Sequence, residues 1–439
     1  MKKHLFITRF FLVAAFIFSF SGCTDQVLQS TVTYTVMEPV YMTPQEIRDA
    51  ASVVAPEGLG MTGRVYLYEN YIFVNERGKG IHVVNNLDPA DPIVESFINL
   101  PGNYNMSIKG DIMYADSYMD MVAIDISNLK SIEIVDRIEN IFTNFNQSTT
   151  EFYDPQRGVI VDWTEVKTIE VSSEDFMGQA PHYYSYDNGF AFRGFAAEAS
   201  VMSQAMIAPS GGSTGIGGSM AQFTIYGNYL FTVDNSRLYV FDITNINTPV
   251  SRSVVDLGWG IETIFPYQDK LFIGSQTGMH IYDISNPVAP LRLSIYEHIR
   301  SCDPVIVNDT IAYVTLRGGD AVCRNDFTNQ LEVIDISDPT RPSLLAIHLM
   351  QNPHGLGFDE NTLFICEGEF GLKIFDASDH YKISSNMITH FNGMDAFDVI
   401  PFNDVLILIG EDGLYQFDYS DPKEIKLISG IPITNAPAN

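Results

Sequence analysis

The stretch from His280 to Pro290 reads HIYDISNPVAP, and near copies of it recur along most of the chain. Each copy has several apolar residues, then an Asp, then a Ser or Thr two places later, and often a Pro. Asp242 and Asp283 are 41 residues apart, as are Asp335 and Asp376. The other copies are VFDITNINTP, VIDISDPTRP, IFDASDHYKI, QFDYSDPKEI, VAIDISNLK and, with Asn85 in the Asp position, HVVNNLDPADP. A repeated unit of about forty residues indicates a repeat protein.

Each repeat unit contains four short strand patterns. The residues before the Asp are mostly apolar, which is typical of a strand that is covered on both faces. The Asp and the Ser or Thr bond nearby backbone N–H groups, and the Pro cannot extend a ladder, so a tight turn follows. A second strand precedes this one, and weaker alternating runs lie on either side of the pair. Four strands per unit predict an all-β fold, a β-propeller of seven or eight four-stranded blades with one long flexible insertion.

The number of units leaves two blade counts open. Units one and two run from about Thr62 to Asn140, and units four to eight continue without a gap to Thr434. Unit three is degenerate and is assigned to Gly158–Trp163 and Lys167–Val171. We assign residues 61–434 to the propeller and 435–439 to a C-terminal tail.

The N-terminal residues have the pattern of an export signal. Lys3 and Arg9 precede an apolar run, Phe10 to Phe20, that is too short to span a membrane. Residues 20–23 resemble a bacterial lipobox, in which the Cys, here Cys23, becomes the lipidated first residue of the mature chain. An ordinary signal peptide with a chance Cys is the alternative. We assign 1–22 to a lipoprotein signal peptide and 23–60 to an N-terminal tether, with one short helix near Pro44 to Ala51.

A long insertion interrupts the repeats. Asp125 and Asp242 are 117 residues apart, which is enough for unit three and an insertion at about 172–219. The insertion ends in a run rich in Gly and Ser, Pro209 to Gly218, whose composition predicts flexibility. A mobile surface loop is the first interpretation, and a lid or a partner-binding arm is the second.

Acidic residues dominate the charge. Lys and Arg number 25 against 54 Asp and Glu, which gives a net charge of −29 at pH 7. This argues against binding to nucleic acid, for which a basic surface is expected. The sequence firmly implies no cofactor. A divalent cation such as calcium is the one candidate, because acidic side chains attract it, although the sequence contains no EF-hand or Gly-Asp-rich calcium repeat.

The cysteines fit an oxidising compartment. Asp283 and Asp335 are 52 residues apart, whereas the usual spacing is 41. The extra residues include Cys323, and a Cys302–Cys323 disulfide would hold this enlarged hairpin loop at the start of its own blade. Closing a loop of that length contributes about 3 kcal/mol in a chain-entropy estimate. Cys366 is predicted to be a buried free thiol, and a bridge between Cys302 and Cys366 is the alternative.

A candidate site follows from the repeat geometry. In a propeller the first strand of each blade lines the central channel, and binding groups gather at the channel mouth. Counting back ten residues from a marker in each second strand gives Gly63, Asn103, Ala221, Glu262, Asp303, His354 and Phe397. Four of these form a predicted polar ring, Asn103, Glu262, Asp303 and His354, with Asp395 and Asp398 close by. They could hold a metal or act as acid and base, or they could be solvated residues at strand starts.

The copies VIDISDP, IYDISNP and VFDIT resemble the LVIVD repeat of exported bacterial propellers and lipoproteins. The resemblance covers roughly Val65 to Ile431 apart from the insertion, and its Asp-Ile-Ser-Asn/Asp-Pro core is fairly specific. It implies a β-propeller at the cell envelope. It implies no chemistry, because the family shares no reaction and a fold alone does not give a function.

Three functions are compatible with these features. The sequence has no Gly-x-Ser-x-Gly elbow, His-Glu-x-x-His helix or Walker loop, so no residue is assigned a catalytic role. The first hypothesis is a binding or scaffold module for an envelope or extracellular protein or glycan. It would be attached only by its lipid, on the outer membrane, facing the periplasm or the cell surface. The alternative is a metal-assisted hydrolase or lactonase-like enzyme at the channel mouth. The third is a role in assembling a larger envelope complex.

Overall fold

The computed structural model describes residues 31–142, 153–154, 156–172, 184–185, 214–219, 221–301, 304–318 and 329–434. Two compact units are present, one of residues 1–38 and 164–191 and the other of residues 39–163 and 192–439. Several predictions fall outside the described residues: the export signal with Cys23, the pair Cys302 and Cys323, Asp303, and the tail 435–439. Across the described part of the chain, none of the helices has the length and apolar character that a membrane crossing requires.

The N-terminal part contains a short capped helix. It comprises strand β1 (Thr31–Met42), helix α1 (Pro44–Asp49) and strand β2 (Ser52–Val54). The Thr43 hydroxyl accepts a hydrogen bond from the Glu46 N–H, and the Glu46 carboxylate accepts one from the Thr43 N–H. This capping box explains why the helix begins at Pro44. The short helix predicted there is confirmed.

Strands β3 to β14 form the first two blades and several shorter pairings. Blade 1 contains β3 (Thr62–Tyr68), β4 (Tyr71–Glu76), β5 (Gly80–Asn85) and β6 (Ile93–Asn99). Blade 2 contains β7 (Met106–Lys109), β8 (Ile112–Ser117), β9 (Asp120–Asp125) and β10 (Glu133–Ile138). The next strands are β11 (Tyr153–Asp154), β12 (Gly158–Ser172), β13 (Tyr184–Ser185) and β14 (Ile216–Gly217). Blade 1 is extended at its two edges, because β14 pairs with β3 and β2 pairs with β6.

Strands β15 to β34 form five regular blades of four antiparallel strands each. Blade 3 has β15 (Phe223–Tyr226), β16 (Tyr229–Val233), β17 (Arg237–Asp242) and β18 (Val250–Asp256). Blade 4 has β19 (Ile261–Tyr267), β20 (Lys270–Ser275), β21 (Gly278–Asp283) and β22 (Leu291–Glu297). Blade 5 has β23 (Val305–Asn308), β24 (Ile311–Leu316), β25 (Gln330–Asp335) and β26 (Ser343–Leu349). Blade 6 has β27 (Leu356–Asp359), β28 (Thr362–Cys366), β29 (Leu372–Asp376), a 3₁₀ turn (Ile383–Ser385) and β30 (Met387–Phe391). Blade 7 has β31 (Ala396–Phe402), β32 (Val405–Gly410), β33 (Gly413–Asp418) and β34 (Lys426–Pro432).

The seven blades form a closed ring, which confirms the predicted propeller. Strand β3 of blade 1 contacts β31 and β32 of blade 7. Leu59 and Ile433 form a parallel bridge, and the Thr434 N–H donates to the Leu59 carbonyl at 3.0 Å. The core lies between blades: for example, Phe231 and Leu238 of blade 3 pack in one cluster with Ile264 of blade 4. Burial on two faces explains the apolar second and third strands.

The repeated Asp forms the same turn in six blades. In blades 2, 4 and 5, the carboxylates of Asp125, Asp283 and Asp335 accept hydrogen bonds from the backbone N–H two residues later, at 2.8 to 2.9 Å. Asp242, Asp376 and Asp418 do the same, and Asn85 accepts from the Leu87 N–H. These turns follow the third strands, and we call the side of the propeller that carries them the turn face. The opposite side, where first strands begin and second strands end, is the mouth face.

The assignment of a degenerate third unit is wrong. Both ranges assigned to it lie within β12, a continuous strand of 15 residues. This strand belongs to a separate sheet of order β11–β12–β1–β13. The range does not fold back into a hairpin and pairs with the N-terminal strand instead. The blade count is therefore seven.

Candidate functional site

The starts of the first strands are joined to each other across neighbouring blades on the mouth face. The Ile264 N–H of blade 4 donates to the Ala221 carbonyl at 3.0 Å, and the Gly355 N–H of blade 6 donates to the Phe397 carbonyl at 2.9 Å. The Thr315 hydroxyl of blade 5 donates to the His354 carbonyl at 3.0 Å. These bonds join blade 3 to blade 4, blade 5 to blade 6 and blade 6 to blade 7 at the channel mouth.

Asn103 belongs to a closed hydrogen-bond network in this ring. It is fully buried. Its amide nitrogen donates to the Asn105 carbonyl at 2.8 Å and to the Asp116 carboxylate at 3.0 Å, and its amide oxygen accepts from Asn75 at 2.8 Å. Because neighbours of the same chain use its donors and its acceptor, Asn103 positions the strand starts of blades 1 and 2.

Asp116 is the centre of that network, and the sequence analysis did not include it. Its carboxylate accepts hydrogen bonds from the Tyr104 and Asn105 N–H groups and from the Asn105 side chain, at 2.7 to 2.8 Å. Burial is the largest influence and raises its pKa, while these hydrogen bonds and Arg64 act in the opposite direction. The sequence signal that could have identified Asp116 is its position near the end of a second strand.

Two arginines of blade 1 were also missed. Arg64 is buried, and its guanidinium donates to the Tyr104 carbonyl at 2.9 Å. Burial lowers the pKa of Arg64 to about 10, so the group keeps its charge at neutral pH. The side chain of Arg77 lies against Gly63, where a Cβ would be only 3.1 Å from the Arg77 Cγ. The Arg77 guanidinium carbon lies 5.6 Å from the centre of the Phe397 ring.

His354 lies on the same aromatic ring. Its imidazole and the Phe397 ring have centres 4.6 Å apart. His354 is 4% exposed, and its Nδ1 has no hydrogen-bond partner. Burial, followed by Arg317 and Arg77, lowers the pKa of His354 well below its ordinary value. The imidazole is therefore neutral, and two arginines lie near it.

The predicted carboxylates of the mouth lie in different surroundings. Glu262 is 6% exposed on blade 4, while Asp398 accepts a hydrogen bond from the Ser219 hydroxyl at 2.9 Å on blade 7. Burial, followed by three nearby carboxylates, raises the pKa of Asp395 to about 6. Among the described residues, no three His, Cys, Asp or Glu side chains gather closely enough to hold a metal ion. Cys366 is a buried free thiol, as expected.

The end of the insertion runs beside the first strand of blade 1. Residues Thr214–Ser219, which we call the channel strand, contain β14, and β14 pairs with the edge of β3 that faces away from β4. The Gly215 N–H donates to the Ile108 carbonyl of blade 2 at 3.2 Å. At the other end, Ser219 bonds Asp398 of blade 7. The channel strand therefore lies inside the channel, on the inner edge of β3, and bonds residues of blades 2 and 7.

The glycines of the channel strand are needed for close packing. A Cβ on Gly215 would lie 2.1 Å from Cε1 of Tyr66 and 2.8 Å from the Leu67 carbonyl oxygen. The Tyr66 hydroxyl also donates to the Gly215 carbonyl at 3.0 Å. The prediction of flexibility is wrong for Gly215 to Gly218, because composition does not distinguish a mobile glycine from one that lies against another backbone.

The departures from the repeat leave the propeller on the mouth face. The N-terminal segment enters β3 there, the insertion follows the last strand of blade 2, and the enlarged hairpin loop joins the second and third strands of blade 5. Trp259 lies between blades 3 and 4 on this face and is 61% exposed. The Arg300 guanidinium carbon lies 5.2 Å from the centre of its ring.

Four segments of the chain match the model of the LVIVD repeat. Residues 59–98, 217–256, 268–297 and 319–349 match it. The chain is an LVIVD-repeat protein. The first two matched segments cover blades 1 and 3, and the last two lie in blades 4 and 5. No curated protein matches this LVIVD-repeat protein in sequence.

Solved structures resemble the LVIVD-repeat protein in fold. The periplasmic gluconolactonase PpgL of Pseudomonas aeruginosa matches with a TM-score of 0.50 and 11% identity, over 89% of this chain and 98% of that chain. The computationally designed Ika8 protein matches with a TM-score of 0.47 and 10% identity, over 88% and 93%. A functionally unknown protein of Desulfotomaculum acetoxidans matches with a TM-score of 0.44 and 9% identity, over 85% and 98%. At such low identity, the likeness to PpgL shows the fold alone.

Proposed function

We propose that this LVIVD-repeat protein is a lipid-anchored binding module of the cell envelope that holds a glycan at its mouth face. The observation that carries the proposal is that the buried polar ring and the departures from the repeat share this one face. Loops that differ from a regular scaffold are where binding function concentrates. The turn face, by contrast, has the same Asp hydrogen bond in each of blades 2 to 7.

Trp259 favours a glycan over a protein partner. Its ring is largely exposed and is held by Arg300, so a flat apolar platform is available without a side-chain rearrangement. Indole rings combine a large apolar face with one polar N–H group, which suits the C–H and hydroxyl groups of a sugar. The polar groups of the nearby mouth would supply hydrogen bonds to the rest of the glycan.

The metal-assisted hydrolase receives less support. It needs a group of ligands, and the described residues contain no such group. The likeness to a gluconolactonase is a likeness of fold. Hydrolysis of a sugar lactone by the purified protein would count against the binding function.

A glycan array tests the binding function. The full chain, produced with its own export segment and extracted in detergent, should bind at least one class of envelope glycan, and Trp259→Ala should weaken that binding at least ten-fold. Leu427→Ala is the control, because Leu427 is also exposed, at 55%, but lies on the outermost strand of blade 7. Equal binding by the two variants would overturn the glycan function. Cross-linking to an envelope protein without glycan binding would favour a protein partner.

Lipid attachment is tested separately. Cells grown with a labelled fatty acid should incorporate the label into the wild-type chain and place the protein in the outer-membrane fraction. Cys23→Ser should abolish the label and release the protein from that fraction. A labelled Cys23→Ser protein would show that Cys23 is not the anchor.

A further inference from the structure

We propose that Arg64, Arg77 and His354 form an oxyanion site at the mouth, which takes the carboxylate or phosphate group of the bound ligand. This inference rests on the proposed glycan-binding function and specifies the chemistry of its ligand, a sugar that carries an acidic group.

The cationic groups come together on one side of the mouth. Arg77 and His354 share the Phe397 ring, at 5.6 Å and 4.6 Å from its centre. The aliphatic part of the Arg77 side chain lies against Gly63, and Gly63 is the residue before Arg64. Within the described residues, no carboxylate lies within ion-pair distance of the Arg77 guanidinium. A partly buried guanidinium with its donors available is suited to a planar or tetrahedral oxyanion.

The two carboxylates that act on the charge of Arg64 already have donors of their own. Asp116 accepts hydrogen bonds from Tyr104, Asn103 and Asn105, and Asp398 accepts from Ser219 and Val399. They balance the buried charge of Arg64 without reaching Arg77. Since the whole chain carries a net charge of −29, local positive charge at the mouth is what allows an anion to approach.

His354 adds a neutral hydrogen-bonding group. Its burial and the two arginines near it keep the imidazole uncharged. A neutral imidazole has one N–H donor and one acceptor nitrogen, and Nδ1 has no partner in the protein. It can therefore donate to an oxygen of the anion or accept from an adjacent sugar hydroxyl.

The channel strand occupies part of the channel beside this site. It pairs with β3, and its Ser219 hydroxyl donates to Asp398. A terminal or side-branch acidic sugar needs less of the remaining space than the middle of a long chain.

Calorimetric titration of the full chain tests the site with four probes: glucuronate, glucose 6-phosphate, neutral glucose and inorganic phosphate. We expect at least one of the two charged sugars to bind ten-fold or more tightly than glucose. The one that binds more tightly identifies the acidic group. Added salt should weaken this binding, because the attraction is electrostatic.

Arg77→Gln is the test variant, because Arg77 is partly exposed and its replacement leaves the buried network around Asp116 in place. It should weaken binding of the charged sugar at least ten-fold, and Arg77→Lys should give an intermediate loss, since Lys keeps the charge but not the planar fork. Arg341→Gln is the matched control. Arg341 lies on the turn face, is 84% exposed and pairs with Asp338. An unchanged unfolding midpoint in Arg77→Gln shows that the fold is intact.

The outcomes separate this inference from the proposed function. If charged sugars bind no better than glucose, or if Arg77→Gln and Arg341→Gln bind alike, the oxyanion site is overturned, whereas glycan binding that depends on Trp259 would still support the proposed function. If inorganic phosphate binds as tightly as glucose 6-phosphate and Arg77→Gln abolishes both, the oxyanion site is supported and the glycan function loses its support.

Discussion

The turn face and the mouth face are built from the same strands, yet their side chains are used in opposite ways. On the turn face, the Asp125 and Asp335 carboxylates each accept a hydrogen bond from the backbone N–H two residues later, within their own blade. On the mouth face, Asn75 bonds Asn103 across a separation of 28 residues, and Ser219 bonds Asp398 across 179. The repeated Asp hydrogen bonds therefore stay within one blade, whereas these Asn and Ser hydrogen bonds join different blades.

This difference explains which features repeat. A turn that satisfies itself locally can be copied into every blade without regard to its neighbours. A mouth residue depends on particular partners in other blades, so each position around the ring differs. Residues that repeat from blade to blade therefore belong to the scaffold. Residues that differ between blades indicate the region where a ligand can be recognised.

The largest expected effect comes from a buried ion pair on the mouth face. Lys373 bonds the fully buried Glu367 at 2.6 Å. Lys373→Met leaves the Glu367 carboxylate buried without its cation, and we expect a loss of about 3 kcal/mol in the free energy of unfolding. Urea denaturation measures it. Adding Glu367→Gln to Lys373→Met should recover part of the loss, and Lys382→Met on the turn face should have no measurable effect. A small loss in Lys373→Met would contradict the comparison of the two faces.

A steric change in the channel strand is expected to have a smaller effect. Gly215→Ala places a Cβ 2.1 Å from the Tyr66 ring, and overpacking of this kind costs about 2 kcal/mol. Thermal unfolding of the full chain measures the loss. Gly393→Ala is the comparison variant, because Gly393 has a φ of +86° but nothing within 4 Å of an added Cβ. If Gly215→Ala were the milder of the two, the channel strand would not pack as described.

The smallest effects are expected on the turn face, where they should also be additive. Asp125→Ala and Asp335→Ala each remove a turn hydrogen bond, at a cost of about 1 kcal/mol or less. The two residues lie in blades 2 and 5 and share no partner, so the double variant should lose the sum of the two single losses. On the mouth face, Asn103→Ala and Asn75→Ala should instead show coupling, because their side chains bond each other. Coupling between the turn-face pair in a double-mutant cycle would remove the distinction between the faces.

The propeller was predictable from the sequence for a physical reason. Apolar strands of regular length and self-contained Asp turns are encoded within a few residues, and the forty-residue period displays them seven times. The failures have one origin. Gly158–Val171 has a strand composition, but its partner β1 is distant in sequence, so the range was assigned to a blade. The glycines of the channel strand were assigned to a flexible segment for a similar reason, since the Tyr66 ring that excludes a side chain is far away in the chain.

The candidate site was predictable only in part. Counting along the repeat located the strand starts, and Asn103, Glu262 and His354 all lie there. It could not find Arg64, Arg77 or Asp116, because the count selected one position per blade and these residues occupy others. It also could not show that the side chain of Asn103 is already hydrogen-bonded to neighbouring residues. Nor could it show that Arg77 has no carboxylate partner among the described residues.

The sequence by itself determined the repeat, its turns and the all-β propeller, because those depend on contacts within one unit. Only the tertiary structure decided the ring of seven blades, the strand that lies inside the channel, and the placement of Arg64, Arg77 and His354 at the mouth. Each of these depends on residues from different blades meeting in space. Closure of the ring brings them together, and no local pattern in the chain records which residues will meet.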